Sequence, residues 1–292
     1  MSNEYVDLHC HSTASDGTFS PADVVQLALQ AGVSALALTD HDTVAGVAEA
    51  SAEAAKRGLD FITGIEISAD FPQPATMHIL GYGVDPASNV LADLTRRLIE
   101  GRDNRNPRII KKLNELNIKI TMDEVENEAG GKVIGRPHMA AILLRKGYVS
   151  SMKQAFDKYL APGGLAYFDK ERLSPREALE MILQSGGVPV LAHPIQLRTV
   201  NDGELERIIK DLKDLGLVGL EVMHSDHGDP QVEKYTKLAD RFGLIKTGGS
   251  DFHGTNKTRI KLGTANSRRV PRAFFETLRE RVAAGRKAAP TP

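Results

Sequence analysis

Short apolar, β-rich runs alternate along this chain with longer segments of helical periodicity, and most of the runs stop at His, Asp or Glu. Residues 5–8 lead into His9, Cys10 and His11; residues 35–38 lead into Thr39, Asp40, His41 and Asp42; residues 61–65 carry Glu66. Met77 precedes His78, and Ile79, Leu80, Gly81 and Tyr82 read as a turn. In the second half, residues 188–192 end at His193, residues 217–220 at Glu221, and residues 244–249 at Ser250, Asp251, Phe252 and His253. These are seven strand candidates. The best punctuated helices between them open on Ser20, Pro21 and Asp23 and close at Gly32, or open on Ser174, Pro175 and Glu177 and close at Gly186. Each has an N-cap serine, a proline at the first helical position, an acid at the third and a glycine stop. Strands alternating with amphipathic helices predict an α/β fold with βα units and a parallel sheet.

A parallel barrel collects its active site on the rim formed by the C-terminal strand ends. His9, His11, His41, His78, His193 and His253 all fall at predicted strand ends, joined by Asp16, Glu66 and Asp251. Side chains alternate along a strand, so His9 and His11 share a face while Cys10 points the other way. Cys10 therefore reads as packing and its neighbours as ligands. Imidazoles and carboxylates without thiolates suit Zn, Mn or Fe, and bridging carboxylates allow two or three ions close together. A single histidine at a strand end is usually structural; the recurrence at successive ends is what points to a metal cluster.

The 292 residues carry 37 Lys and Arg against 38 Asp and Glu, a formal charge of −1. No global field recruits duplex nucleic acid or a membrane, so an anionic ligand needs a local cationic cluster. With Cys10 the only cysteine, a disulfide framework and a thiolate zinc site are both excluded. The polar first seven residues lack a signal-peptide pattern and no apolar run approaches membrane length, so a cytoplasmic protein is expected, and no protein partner is evident. No phosphate-cradling loop of the glycine-rich, lysine-containing kind is present.

The βα rhythm breaks over residues 101–166, which read as a small helical insertion: a capping box at Thr121 and Glu124, a break at Gly130 and Gly131, and a second helix entered through Gly135, Arg136, Pro137 and His138. The expected division is a catalytic barrel of residues 1–100 and 167–292 with 101–166 as a substrate-selecting cap. Arg102 and Arg105, three apart on one helix face, can fork around a phosphate with Asn104 nearby. Gly135, Arg136 and His138 stand at a helix N-terminus, a natural anion site. Lys170 and Arg172 are further candidates, whereas Lys111, Lys112, Arg145 and Lys146 read as a solvated face.

With these residues in place, the chain resembles the PHP (polymerase and histidinol phosphatase) family of metal-dependent phosphoesterases. The resemblance runs through Asp7-Leu8-His9-Cys10-His11-Ser12 with Ser15-Asp16-Gly17, Leu38-Thr39-Asp40-His41-Asp42, Gly64-Ile65-Glu66-Ile67-Ser68, His78-Ile79-Leu80-Gly81-Tyr82, Ala192-His193-Pro194 and Gly249-Ser250-Asp251-Phe252-His253. It implies a distorted (β/α)7 barrel holding two or three divalent ions, manganese foremost, with zinc, iron or magnesium as alternatives. By the same resemblance His9, His11, Glu66 and Asp251 hold one ion, Glu66 bridges to a second on His78 and His193, and Asp16, His41 and His253 hold a third. Glu66, His193 and Asp251 would then act catalytically through a metal-bridging hydroxide. Asp40 is expected either to orient the His41 imidazole or to cap a helix beginning at Thr43. His224 and His227 read as loop residues facing solvent, with a place on the rim as the alternative. The insertion with its Gly-Arg-Pro-His looks like the 3',5'-nucleoside bisphosphate phosphatase subgroup, some of whose members are 5'-to-3' exonucleases on short RNA. That likeness implies removal of a 3'-phosphate from a bisphosphonucleotide, or action on a short oligoribonucleotide. A histidinol-phosphatase-like small-metabolite phosphatase is the alternative.

Overall fold

In a computed structural model the described residues are 4–72, 74–130, 134–169 and 172–288; the side chains of Ile99, Arg102 and residues 286–288 lie outside the description. The strands are β1 (Tyr5–Asp7), β2 (Ala35–Leu38), β3 (Asp60–Ala69), β4 (Met77–Tyr82), β5 (Val188–Leu191), β6 (Gly219–Met223), β7 (Ile245–Gly248) and β8 (Val270–Pro271). They form one sheet in the order β7-β6-β5-β4-β3-β2-β1-β8. Backbone bonds from Leu8 N to Gly248 O (3.2 Å), from Asp251 N to His9 O (2.8 Å) and from His11 N to Phe252 O (2.9 Å) bring the two ends together, closing the barrel. Tyr82, fully buried, donates its hydroxyl to the Leu8 carbonyl at 2.7 Å, tying β4 to the end of β1.

The expectation of a wholly parallel sheet is corrected here. β1, β2 and β3 are parallel, as are β5, β6 and β7, but β4 runs antiparallel to both β3 and β5, and β8 runs antiparallel to β1. Residues 70–76 are too few for the helical crossover that a parallel neighbour needs, so the chain turns back. The stretch from Ile79 to Tyr82, read as a turn, is strand. The reversal also explains how His78, at the start of β4, reaches the same rim as the residues that follow the other strands. β8 has only two residues, below what apolar periodicity can register.

The helices are α1 (Pro21–Gln30), α2 (Val47–Arg57), α3 (Asn89–Glu115), α4 (Met122–Ala129), α5 (Arg136–Arg145), α6 (Met152–Ala155), α7 (Pro175–Gln184), α8 (Asp202–Asp214), α9 (Asp229–Phe242) and α10 (Arg272–Ala288). Ser20 caps α1 by accepting from Asp23 N, and Ser174 forms a full capping box with Glu177 on α7. Each cap contributes about 1 kcal/mol. α3 is continuous through residue 101: Leu91, Leu94 and Leu98 pack into the barrel core, whereas Ile109 and Leu113 belong to a separate apolar cluster with Val125, Met139, Ile142, Leu143 and Leu160. One helix thus carries the chain from the barrel into a second small core. Thr121 and Glu124 form the capping box of α4, which ends on Gly130 at φ 55°; Gly131 lies outside the described residues.

Candidate metal centre

Alternation along β1 and its extension separates two environments. Cys10 is fully buried, packs with Val24, Leu36 and Leu38, and lies 3.3 Å by Sγ from the Ala37 carbonyl, while His9 and His11 turn to the rim. The Asp7 carboxylate ties this strand end to the loop after β7, accepting from Ser250 N (2.9 Å), Gly263 N (2.7 Å) and His9 N (3.3 Å). Burial raises its pKa, although those hydrogen bonds pull the other way. Gly249 permits the close approach: a Cβ there would stand 2.3 Å from His9 N. Two rim residues, His193 (φ 23°) and Asp251 (φ 57°), hold left-handed backbone conformations that cost of order 1–3 kcal/mol each and cluster where geometry serves function.

Glu66, fully buried at the middle of the rim, meets five imidazoles. Its Oε1 lies 2.9 Å from both His78 Nδ1 and His193 Nε2; its Oε2 lies 2.9 Å from His41 Nδ1, 3.3 Å from His11 Nε2 and 3.4 Å from His9 Nε2. Asp251 Oδ1 faces His11 Nε2 at 3.2 Å, His253 Nδ1 at 3.5 Å and His9 Nε2 at 3.6 Å. Asp16 Oδ1 lies 3.3 Å from His253 Nε2. Burial pushes the Glu66 carboxyl up, but His41, His78 and His9 outweigh it and hold the group well below the carboxylate range. Burial pulls His41 down while Glu66 and Asp16 lift it to about 8; burial, opposed by Glu66, takes His78 down to about 4.

The structure therefore brings together all nine residues expected to ligate metal. Sets with ligand atoms within 4.8 Å of one another include His11, Asp16, His41 and His253; His9, His11 and Asp251; His9, Glu66 and His193; and His41, Glu66 and His78. These residues fit divalent ions on an independent ground. Buried polar atoms nearly always find partners, yet His9 Nε2, both ring nitrogens of His11, His41 Nδ1, Glu66 Oε2 and His193 Nδ1 lie buried without a hydrogen bond. His9 and His253 are also fixed in a ligand's tautomer. Nδ1 of His9 donates to Glu221 Oε1 at 2.9 Å and Nδ1 of His253 to Asp251 O at 2.8 Å, leaving each Nε2 lone pair free.

Several expectations are revised. Asp40 neither orients His41 nor caps a helix: α2 begins only at Val47, after an N-cap Gly46 with no side-chain cap. Its carboxylate instead accepts from Ser12 N, Ser12 Oγ and Ser15 Oγ at 2.6–2.7 Å, shaping the turn that carries Asp16. His224 and His227 do not face solvent; both are buried, and His224 Nε2 stands 3.4 Å from Asp251 Oδ2. Two contributors had no assigned role. Glu221 accepts from His9 Nδ1 and from His193 N (2.7 Å), with its carboxyl held down at about 2, where burial opposes the shift and His9 and His224 cause it. Lys257, from the short helical turn after His253, places Nζ 2.6 Å from Asp251 Oδ2.

His227 provides a pH test of this packing. Its Nδ1 bonds the Val222 carbonyl, and burial, with His224 alongside, pushes the imidazole from 6.5 to about 4. The unfolded chain takes up that proton first, so stability falls as pH drops from about 6.5 towards 4. His227→Gln is expected to flatten the loss by up to about 3 kcal/mol, read as the difference between denaturant midpoints at neutral and acid pH. Equal pH slopes in both proteins would show that His227 titrates as an ordinary imidazole.

Beside the centre lies a cleft of about 240 Å³ between rim and insertion, lined by Asp16, His41 and His78 from the barrel and by Arg105, Gly135, Arg136, Pro137 and Phe156 from the helical segment. Arg172, where the chain returns to the barrel, lines it as well. Arg136 donates to the Leu160 carbonyl at 2.9 Å, sits over the Tyr167 ring and, among the described residues, forms no ion pair. Arg105 is buried and bonds Asn106 Oδ1; Arg172 pairs with Asp169 at 2.6 Å. Asn104 is exposed and away from the cleft lining, and His138 is turned inward, with Nδ1 accepting from Gly135 N at 3.0 Å. The side chain of Arg102 and the residue Lys170 lie outside the description.

Comparison with known proteins decides the family. The PHP domain model matches residues 7–171. The chain belongs to the PHP family. A 3',5'-nucleoside bisphosphate phosphatase of Chromobacterium violaceum is 37% identical over 252 residues, covering 85% of this chain and 87% of the relative. A 5'-3' exoribonuclease of Haemophilus influenzae is 36% identical, covering 87% and 91%. A solved structure from Bifidobacterium adolescentis, described as a metal-dependent phosphoesterase, superposes with a TM-score of 0.85 at 30% identity over 96% of this chain and 97% of that one. This PHP chain is accordingly a phosphoesterase with an α/β barrel of the family type and residue clusters suited to metal. Among its described residues no helix is long and apolar enough to cross a membrane.

Proposed function

We propose that this chain removes the 3'-phosphate of 3',5'-bisphosphonucleotides, giving a nucleoside 5'-monophosphate and phosphate, and that short oligoribonucleotides reach the same cleft. The observation that carries the reading is that one cleft joins the imidazole–carboxylate centre at Asp16, His41 and His78 to a separate group of three guanidiniums, Arg105, Arg136 and Arg172. A substrate with two phosphates matches two anion sites. A substrate with one leaves the arginines unused. The names of the two relatives support the same class.

In this reading His9, His11, Glu66 and Asp251 hold one divalent ion, Glu66 with His78 and His193 a second, and Asp16, His41 and His253 a third, with manganese the first candidate. Such ions supply Lewis-acid charge neutralisation and a water nucleophile near neutral pH. The protein's own part is positioning. Glu221 keeps the proton on His9 Nδ1, so that Nε2 presents its lone pair to the centre. Arg136, which donates to the Leu160 carbonyl, lies over the Tyr167 ring and forms no ion pair among the described residues, has guanidinium N–H groups to offer a phosphate, and charge-assisted bonds of that kind orient the ester for in-line attack. The test is kcat/KM for a 3',5'-bisphosphonucleotide, the matching 3'-monophosphate and histidinol phosphate after reconstitution with Mn, Zn, Fe or Mg. The bisphosphate is expected to lead. A clear preference for histidinol phosphate would overturn the assignment in favour of a small-metabolite phosphatase.

A further inference from the structure

His224 is held in a ring tautomer opposite to that of His9 and His253. The backbone N–H of Asp226 donates to its Nδ1 at 3.0 Å. A backbone amide can only donate, so Nδ1 carries a lone pair and the proton of the neutral ring resides on Nε2. His9 and His253 are the reverse, protonated on Nδ1 with a bare Nε2. A metal ligand needs a bare nitrogen. His224 offers the centre an N–H.

The nearest carboxylate to that N–H is Asp251; Glu221, which with His9 and His224 forms a set of ligand atoms within 4.8 Å of one another, already accepts from His9 Nδ1 and His193 N. His224 is 1% exposed, its Nε2 is buried without a full hydrogen bond, and the atom lies 3.4 Å from Asp251 Oδ2. A contraction of a few tenths of an ångström makes this a good N–H···O⁻ bond. The same oxygen receives Lys257 Nζ at 2.6 Å, whereas Oδ1 faces His11, His253 and His9 at 3.2–3.6 Å. The two carboxylate oxygens thus face different groups: Lys257 and the His224 N–H on Oδ2, and on Oδ1 the Nε2 atoms of His9 and His11, with His253 Nδ1, whose proton goes to the Asp251 carbonyl, 3.5 Å away.

We propose that His224 is a positioning residue, not a ligand: its Nε2–H and Lys257 together occupy Asp251 Oδ2, so that Asp251 offers metal a single oxygen, Oδ1. The proposal rests on the reading of Asp251 as a ligand and adds what orients it. Partners of this type commonly change metal affinity by about 10–100-fold.

Two measurements test it. In zinc-loaded protein, long-range proton–nitrogen correlation of the imidazoles, with the His224 signals assigned by their loss in His224→Gln, is expected to show the proton on Nε2. A proton on Nδ1 with a metal-shifted Nε2 would overturn the proposal. In metal-binding titrations His224→Ala is expected to weaken binding about 10–100-fold, and His224→Gln, whose amide N–H stands near the Nε2 position, to restore most of it. Unchanged binding in the alanine variant, or a glutamine variant as weak as alanine, would overturn it while leaving the function assignment intact. Asp251→Asn separates the two levels. Full metal content in that variant would remove the ligand reading itself, and the His224 proposal with it.

Discussion

Replacing Glu66 by alanine is expected to abolish phosphate release and to strip metal from the protein together. Among the described residues no other carboxylate of the rim meets five imidazoles: Oε1 faces His78 and His193, Oε2 faces His41, His11 and His9, all within 3.4 Å. In the proposed ligand sets Glu66 is common to two ion positions, so its loss would weaken both. Its charge is also what lifts His41, against burial, so removing it leaves a crowd of imidazoles with less reason to stay in place. Turnover should fall by about 10³-fold or more, since under the proposed mechanism both the nucleophile and the charge stabilisation would depend on the ions. Glu66→Gln keeps the shape and removes the charge, so it separates electrostatic loss from collapse; it should remain folded by circular dichroism yet hold little metal by elemental analysis. Near-normal turnover with full metal content in Glu66→Ala would refute the assignment of the centre.

Much of that centre was legible because a ligand's position follows from strand alternation. His9 and His11 had to share a face once residues 5–8 were a strand, and Asp251 and His253 had to follow the run ending at Gly249. The direction of β4 was less legible, because strands buried on both faces read alike whichever way they run; the length of the 70–76 connection was the available signal. The supporting carboxylate Glu221 was visible as a polar end to an apolar run, but its partner His9 lies 212 residues away, and such pairings come only from the closed barrel. His224 and His227 read as loop because Met-His-Ser-Asp-His is polar. In the fold the turn folds back on the barrel: Ser225 Oγ bonds the Ser250 carbonyl, the His224 ring packs by His9 and His193, and the His227 ring against Tyr235. For Arg172, as for Lys170, the sequence offers chain position alone. Its place in the cleft depends on how the returning chain packs against Tyr167 and Asp169.

Substrate choice should respond to the arginines independently of the metal centre. Arg136→Ala is expected to raise KM for a 3',5'-bisphosphonucleotide and to leave the 3'-monophosphate nearly unaffected. The guanidinium is partly buried, and burial draws its pKa below the usual arginine value, with Arg172 adding to the shift and Asp169 and Tyr167 opposing it. A phosphate offsets that desolvation, with a charge-assisted bond contributing about 1.5–3 kcal/mol, or roughly 10–100-fold in KM. Lysine at this position keeps the charge but loses the planar fork and the stacking on Tyr167, so Arg136→Lys should recover only part of the loss. Because Arg136 also bonds the Leu160 carbonyl, the alanine variant is to be compared at matched thermal stability and metal content. Selectivity is the decisive quantity: the ratio of kcat/KM for bisphosphate over monophosphate should drop by the full factor while monophosphate turnover holds. An equal loss on both substrates would show that Arg136 shapes the cleft without reading the second phosphate, and would shift that role to Arg105 and Arg172 on the same wall.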